Sequence, residues 1–409
     1  MTKNKLSFLF LIVCVLQLFL FSCNNKGNKT QEGTELSDST KVVINFPKNE
    51  KLDNIGNLLA GIDKTDLKDI LISDSLTTSF WTEYCQTVDS AWKDITNDRL
   101  SKMDKWVETE IAPKINDTSL LFYPFSGPDF LNAYHLFPNS NEYILIAMEK
   151  LGTIPEFSTM SAKQVKTYLE SLNNSIRDVY KRSYFITGNM EQDLKKNQIN
   201  GVLPVFYLFL ERTGHEIYDF GYYQLQDDGI TFLPIEKPTN SLKIAECIKF
   251  KVLKKGDNKL KEITYFYSDI SDDGFAKNPI LLQYLQNMRE CNTFIKSASY
   301  LSHYETFTKI RNLTLDKSNA VLQDDTGVPF RYFAKKWNYY LYGVYEKPIE
   351  DFKSGSKYLF QTDLDEKYKN ENPQPLDFSL GYHWRYGTQN WVLYVKKTVA
   401  QDEPIIKNE

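Results

Sequence analysis

Residues 247–267, with the sequence CIKFKVLKKGDNKLKEITYFY, decide the fold class of this chain. The two arms, residues 247–254 and 260–267, are rich in β-branched and aromatic residues that alternate with polar ones. This alternation is typical of β-strands with one buried face. The arms are joined by Gly256, Asp257 and Asn258, which are residue types that close hairpins. We therefore predict an antiparallel β-hairpin here.

A second hairpin is predicted just upstream, where residues 217–225 and 230–234 flank an Asp-Asp-Gly turn at residues 227–229. Strands are also predicted at the C-terminal end of the chain and in its first half. The predicted C-terminal strands are residues 337–345, 377–386 and 391–397, and the early ones begin at Leu120 and Glu142.

Helices are predicted where apolar residues recur every three or four positions, because that spacing places them on one face. Asp129 is expected to cap a short helix that ends at His135, and Ser161 to cap a longer one. The helices predicted from this spacing are residues 78–95, 98–111, 161–181, 200–212, 279–289 and 294–310.

Blocks of helix and blocks of strand, rather than strict alternation, indicate an α+β fold with an N-terminal helical region followed by mixed antiparallel sheet and helices. We divide the chain into a signal peptide (1–22), a flexible tether (23–50), a mainly helical region (51–215) and an α+β region (216–409). Linker composition is absent near residue 216, so the last two regions also fit a single domain.

The N-terminus has the features of a secretory leader. Lys3 and Lys5 precede an apolar run at residues 6–21, shorter than the ~20 residues that span a bilayer. The run ends in Leu20-Phe21-Ser22-Cys23, which resembles the lipobox of bacterial lipoproteins. The resemblance implies cleavage after Ser22, a diacylglycerol thioether on Cys23 and fatty acylation, as with palmitate, of the new amino terminus. An uncleaved anchor or an ordinary signal peptide is the alternative.

These features predict an outer-membrane lipoprotein of the cell envelope, because Asn24 is not the aspartate that retains some lipoproteins in the inner membrane. Whether it faces the periplasm or the outside is open. The chain carries 53 acidic and 49 basic residues with no basic block. Nucleic-acid binding is therefore not expected, since phosphates demand a concentrated positive surface.

No cofactor or metal site is predicted. Residues 269–274 match the first half of a calcium loop, but Ile280 stands where the bidentate glutamate belongs. His215 and Glu216 begin like a zinc motif, but Asp219 replaces the second histidine. Apart from Cys14 and Cys23 the chain has three cysteines, which allow at most one disulfide. These are Cys85, Cys247 and Cys291.

Three segments resemble a family of uncharacterised bacterial envelope proteins, with similarity running from about residue 120 to 348. They are YPFSGPDF at 123–130, FIKSASYLSH at 294–303 and QDDTGVPF at 323–330. The resemblance implies no activity, but it indicates where ligand-binding residues are to be sought. The candidates are Asp129, His135, Lys296, His303, Asp324, Asp325 and Arg331.

Because no catalytic set is complete, we expect a binding or assembly factor whose partner is an envelope protein or a glycan. The alternative is a hydrolase of cell-wall or surface glycans that uses Asp129, Asp324 or Asp325. Two carboxylates about 5 to 9.5 Å apart in an open cleft would favour that alternative. Residues 323–333 also fit a simple tight turn, in which Asp325 caps the backbone and Arg331 neutralises a carboxylate.

Overall fold

A ten-stranded sheet forms the middle of the molecule. The computed structural model describes residues 47–63, 78–116, 119–182, 199–296, 298–346, 348, 359–385 and 387–397. The predicted leader, Ser22, Cys23 and most of the predicted tether lie outside these residues. The strands are β1 (Leu120–Pro124), β2 (Glu142–Ala147), β3 (His215–Leu225), β4 (Phe232–Ile235), β5 (Glu246–Lys254), β6 (Lys261–Tyr267), β7 (Cys291–Ile295), β8 (Ser318–Gln323), β9 (Trp337–Gly343) and β10 (Asn390–Lys396).

Helices precede, separate and follow these strands. Ser161 begins one of them with a capping box, in which its side chain and that of Gln164 each accept from the other's backbone N–H. The helices are α1 (Glu50–Leu59), α2 (Thr78–Ile95), α3 (Ser101–Trp106), α4 (Phe130–Leu136), α5 (Ala162–Ser175), α6 (Arg177–Arg182), α7 (Leu203–Arg212), α8 (Asp272–Lys277), α9 (Pro279–Asn287), α10 (Thr308–Lys317) and α11 (Thr362–Asn370).

The strand order across the sheet is β4-β3-β5-β6-β2-β1-β7-β8-β10-β9. The five central strands, from β6 to β8, pair in parallel, and the flanking strands pair antiparallel. From β1 the chain moves to β2 and then β6 on one side, and it later adds β7 and β8 on the other. The order therefore reverses between β1 and β7, which is the position where open parallel sheets form a crevice at their carboxyl edge.

Successive side chains of a strand point to opposite faces of the sheet. Helices pack against both of these faces. Leu121 and Tyr123 of β1 join a core cluster with α7, in which every residue except Arg212 is buried. Leu120 and Phe122 join a second cluster, which contains residues of α9. Among the described residues, no helix combines the length and the apolar character needed to cross a membrane.

The α+β class is confirmed, and so are both predicted hairpins, which form β3–β4 and β5–β6. The sequence did not indicate that the centre of the sheet is parallel. Strands from before and after residue 216 share this sheet, since β1 pairs with β7 and β2 with β6. Cys85, Cys247 and Cys291 are buried free thiols.

Two predicted elements are wrong. The helix predicted over 294–310 begins only at Thr308, because Phe294 and Ile295 complete a buried strand between β1 and β8. The strand predicted over 377–386 is absent from the described part of that segment. Gly381 has a φ of +64° and lies in a short 3-10 turn, a conformation that extended strands do not allow.

Candidate functional site

Four of the candidate residues follow the carboxyl ends of adjacent parallel strands. Asp129 lies in the turn after β1, Lys296 directly after β7, and Asp324 and Asp325 directly after β8. Because β1 and β7 flank the reversal of strand order, these side chains stand at the crevice where such sheets bind ligands.

Asp129 and Lys296 form an ion pair inside the protein. The Lys296 Nζ lies 2.6 Å from the Asp129 Oδ2, and the two side chains are 2% and 1% exposed. The Tyr123 hydroxyl donates to the same carboxylate at 2.9 Å, and the Asn132 side-chain amide donates at 2.8 Å. Asp129 also accepts from the Asn132 backbone N–H and so caps α4, as predicted. Burial lowers the pKa of Lys296, although the Asp129 charge opposes that shift.

A second buried group adjoins the first. The His383 Nε2 contacts the Asp325 carboxylate, and both side chains are under 5% exposed. Burial opposes protonation of His383, but the Asp325 charge and hydrogen bond raise its pKa above the usual value. The Asp324 Oδ1 accepts from the Thr326 N–H at 2.9 Å, whereas its Oδ2 has no hydrogen-bond partner. Burial raises the pKa of Asp324 to about 6.

Gly381 brings the two groups together. A methyl group at this residue would lie 2.9 Å from the Lys296 Cγ and 3.6 Å from the Asp324 Oδ2. The turn that carries Gly381 and His383 therefore runs directly over both charged groups. His383 was not among the candidates, because nothing in the local sequence separates it from the other three histidines.

His303 and Arg331 stand beside these groups, in a separate cleft of about 520 Å³. Burial lowers the pKa of His303 to about 4, and the Arg331 charge adds to this effect. Gln361 lines the same cleft and donates from its side chain to the Asp325 carbonyl at 2.6 Å. The Arg331 guanidinium lies 4.8 Å from the Tyr332 ring centroid.

His135 lies at the other edge of the sheet. It is near the end of α4, and its Nδ1 is 2.6 Å from the Oδ1 of Asp104 in α3. It lines a cavity of about 450 Å³ together with Ser140 and Asn292, which stand at the amino ends of β2 and β7. The structure thus gathers six of the seven candidates at the carboxyl edge, in a buried set and a neighbouring cleft, and separates His135 from them.

Arg99 is the main polar residue that sequence reasoning missed. It lies in a π-helical segment, Thr96–Leu100, between α2 and α3, and such segments often occur at functional sites. The residue is 7% exposed. One terminal nitrogen donates to the Val179 carbonyl at 3.1 Å, while the Nε has no hydrogen-bond partner. Burial lowers the pKa of Arg99 to about 10, against the opposing charge of Asp129.

Arg99 also lines a groove of about 530 Å³, which we call the Arg99 groove. The α2–α3 segment supplies one wall, α5 and α6 supply another, and residues on both sides of Gly381 supply the rest. Its polar and aromatic lining includes Asp94, Asp98, Lys102, Asn173, Asn174, Arg177, Tyr180, Lys181, Asp377, Ser379 and Trp384.

Within the described ranges, no group of three His, Cys, Asp or Glu side chains is placed to hold a metal ion. In the half-matched calcium loop, Ser271 caps α8 through the Gly274 N–H. The Asp272 carboxylate accepts from the Thr308 and Lys309 backbone N–H groups at the start of α10. These carboxylate contacts serve helix ends, as they do in an ordinary surface turn.

No family model matches this chain, and neither a curated protein nor a solved structure is significantly similar to it. Its function is therefore inferred from the geometry of the Arg99 groove and of the charged groups at the carboxyl edge.

Proposed function

We propose that this protein is a lipid-anchored binding protein of the bacterial envelope, which takes up a small polar solute in the Arg99 groove. The observation that carries the proposal is Arg99 itself. A guanidinium that is 7% exposed, with an Nε lacking a hydrogen-bond partner, lines a groove between helices, and the charge of Asp129 at the carboxyl edge of the sheet acts on it. Buried donors without partners are costly, and a ligand acceptor would offset that cost.

The surroundings of Arg99 favour binding. Its charge acts on Asp129 and Lys296, so the groove is electrostatically connected to the buried ion pair. A volume of about 530 Å³ lies within the range of small-ligand sites. The resemblance to a lipobox supports an envelope location. Fragments of envelope glycans and peptides are solutes of the required polarity.

Hydrolysis of a glycan is less well supported. A glycosidase needs two carboxyl groups that both reach the glycosidic bond. Asp129 and Asp324 are 0% exposed and Asp325 is 4% exposed. Lys296 pairs with Asp129 and His383 pairs with Asp325, so both of these carboxylates are arranged as internal ion pairs.

Filling the groove tests the binding proposal. Ala91 lines the groove, whereas its exposed neighbour Ser90 does not. Thermal unfolding of the full chain in detergent is measured with a panel of saccharides, amino acids and short peptides. A ligand at 100 times its Kd stabilises by about 2.7 kcal/mol. We expect stabilisation of the wild type and of Ser90→Trp to be lost in Ala91→Trp. If no solute stabilises the wild type, or if both variants respond alike, the proposal fails.

The anchor is tested by Cys23→Ala. We expect the variant to lack acyl mass and to leave the membrane fraction, because acyl chains contribute about 0.8 kcal/mol per buried CH₂. Intact-mass analysis and cell fractionation measure both effects. A wild type that retains its leader, or a variant that stays with membranes, contradicts the anchor.

A further inference from the structure

We infer that the ligand of the Arg99 groove is a short peptide with a free ammonium group and a free carboxylate. This inference rests on the proposed function and adds the chemical class of the ligand. It starts from the charges on the two facing walls of the groove.

The wall formed by α2 and the π-helical segment carries two acids, and Lys102 follows them one turn further along in α3. Asp94 and Asp98 are four residues apart, and both are exposed and line the groove. Like charges at this spacing destabilise a helix by about 0.2–0.5 kcal/mol. A cationic group placed between the walls would remove that repulsion.

The α6 wall carries the opposite pair. Arg177 and Lys181 are also four residues apart, exposed and in the lining of the groove. Within the described residues, neither of these cations forms an ion pair with Asp94 or Asp98 across the groove. Acidic and basic side chains thus face the same solvent-filled groove without pairing across it. A solute with one positive and one negative group matches both walls at once.

The base and rim of the groove add to this match. Arg99 lines the groove, and an arginine fork suits a carboxylate. Asn173 and Asn174 offer amide donors and acceptors, which suit a peptide backbone. Trp384 and Phe378 add aromatic surface for a small side chain. A saccharide would use the amides and rings, but it would leave both charge pairs unmatched.

Calorimetric titration of the full chain in detergent separates these possibilities. The probes are trialanine, N-acetyl-trialanine, trialanine amide and the neutral saccharide maltotriose. We expect trialanine to bind and each single cap to weaken binding about tenfold, since each removes one charge-assisted hydrogen bond. Asp98→Asn should abolish the effect of the N-acetyl cap alone, and Arg177→Gln the effect of the amide cap alone.

Matched controls are available on α2. Glu83→Gln and Lys93→Gln remove exposed charges outside the groove and should leave all four affinities unchanged. Capped and free peptides that bind equally overturn the inference. If maltotriose binds, trialanine does not, and Ala91→Trp abolishes the maltotriose binding, the inference is overturned but the proposed function stands. Absence of binding by these probes and by every solute of the unfolding panel overturns both.

Discussion

Replacing Lys296 by methionine tests whether the ion pair at the carboxyl edge stabilises the fold. Methionine keeps most of the length of the side chain and removes the charge. It would leave the Asp129 carboxylate buried at 0% exposure without its cation. Breaking one side of a buried pair typically costs about 3–5 kcal/mol. Asp129 keeps donors from Tyr123 and Asn132, so we expect a loss near the lower end, about 3 kcal/mol.

The chain contains a matched control. Lys369 and Asp365 form an ion pair with the same 2.6 Å separation, but the Lys369 side chain is 67% exposed. Exposed pairs contribute about 0–1 kcal/mol. Urea unfolding of the full chain, followed by tryptophan fluorescence, gives the free energy of unfolding of wild type, Lys296→Met and Lys369→Met. We expect the first substitution to cost at least three times as much as the second.

The double variant Asp129→Asn/Lys296→Met checks the cause of the loss. Removing both charges leaves no buried carboxylate beside the substituted lysine, so the double variant should be more stable than Lys296→Met alone. Equal losses for Lys296→Met and Lys369→Met would refute the role of burial. A double variant less stable than Lys296→Met would refute the role of the stranded carboxylate.

Two further predictions concern the same edge. Burial raises the pKa of Asp324 from 3.8 to about 6, so ionisation of this carboxyl lowers the free energy of unfolding. This loss of stability is absent below about pH 3.8 and complete above about pH 6. Urea unfolding between pH 4 and 7 should therefore show Asp324→Asn gaining up to roughly 3 kcal/mol on the wild type, and a pH-independent difference would contradict this. Gly381→Ala should lower the free energy of unfolding by about 1–2 kcal/mol more than Gly387→Ala, since both have positive φ but only the first methyl group meets Lys296. Equal losses in the two alanine variants would show that the close contact is relieved without cost.

Local signals in the sequence were enough for several elements of the fold. The β3–β4 and β5–β6 hairpins, the Asp129 cap on α4 and the Ser161 capping box each depend on residues within one turn or one hairpin of each other. Turn chemistry and capping are short-range effects, so a sequence pattern can specify them. The resemblance to a lipobox is equally local, and the proposed envelope location rests on it.

Long-range contacts decided the rest. Whether residues 294–295 form strand or helix depends on β1 and β8, because a parallel strand gains its hydrogen bonds from distant partners. His383 contacts Asp325 from 58 residues away, and Arg99 reaches Val179 from 80 residues away. Only the packed fold brings these groups together, because no local interaction specifies a contact between residues so far apart in the sequence. The sequence by itself determined the local turns and the caps, whereas the tertiary structure determined which polar residues share one edge of the sheet, because those residues meet only through contacts that are distant in the sequence.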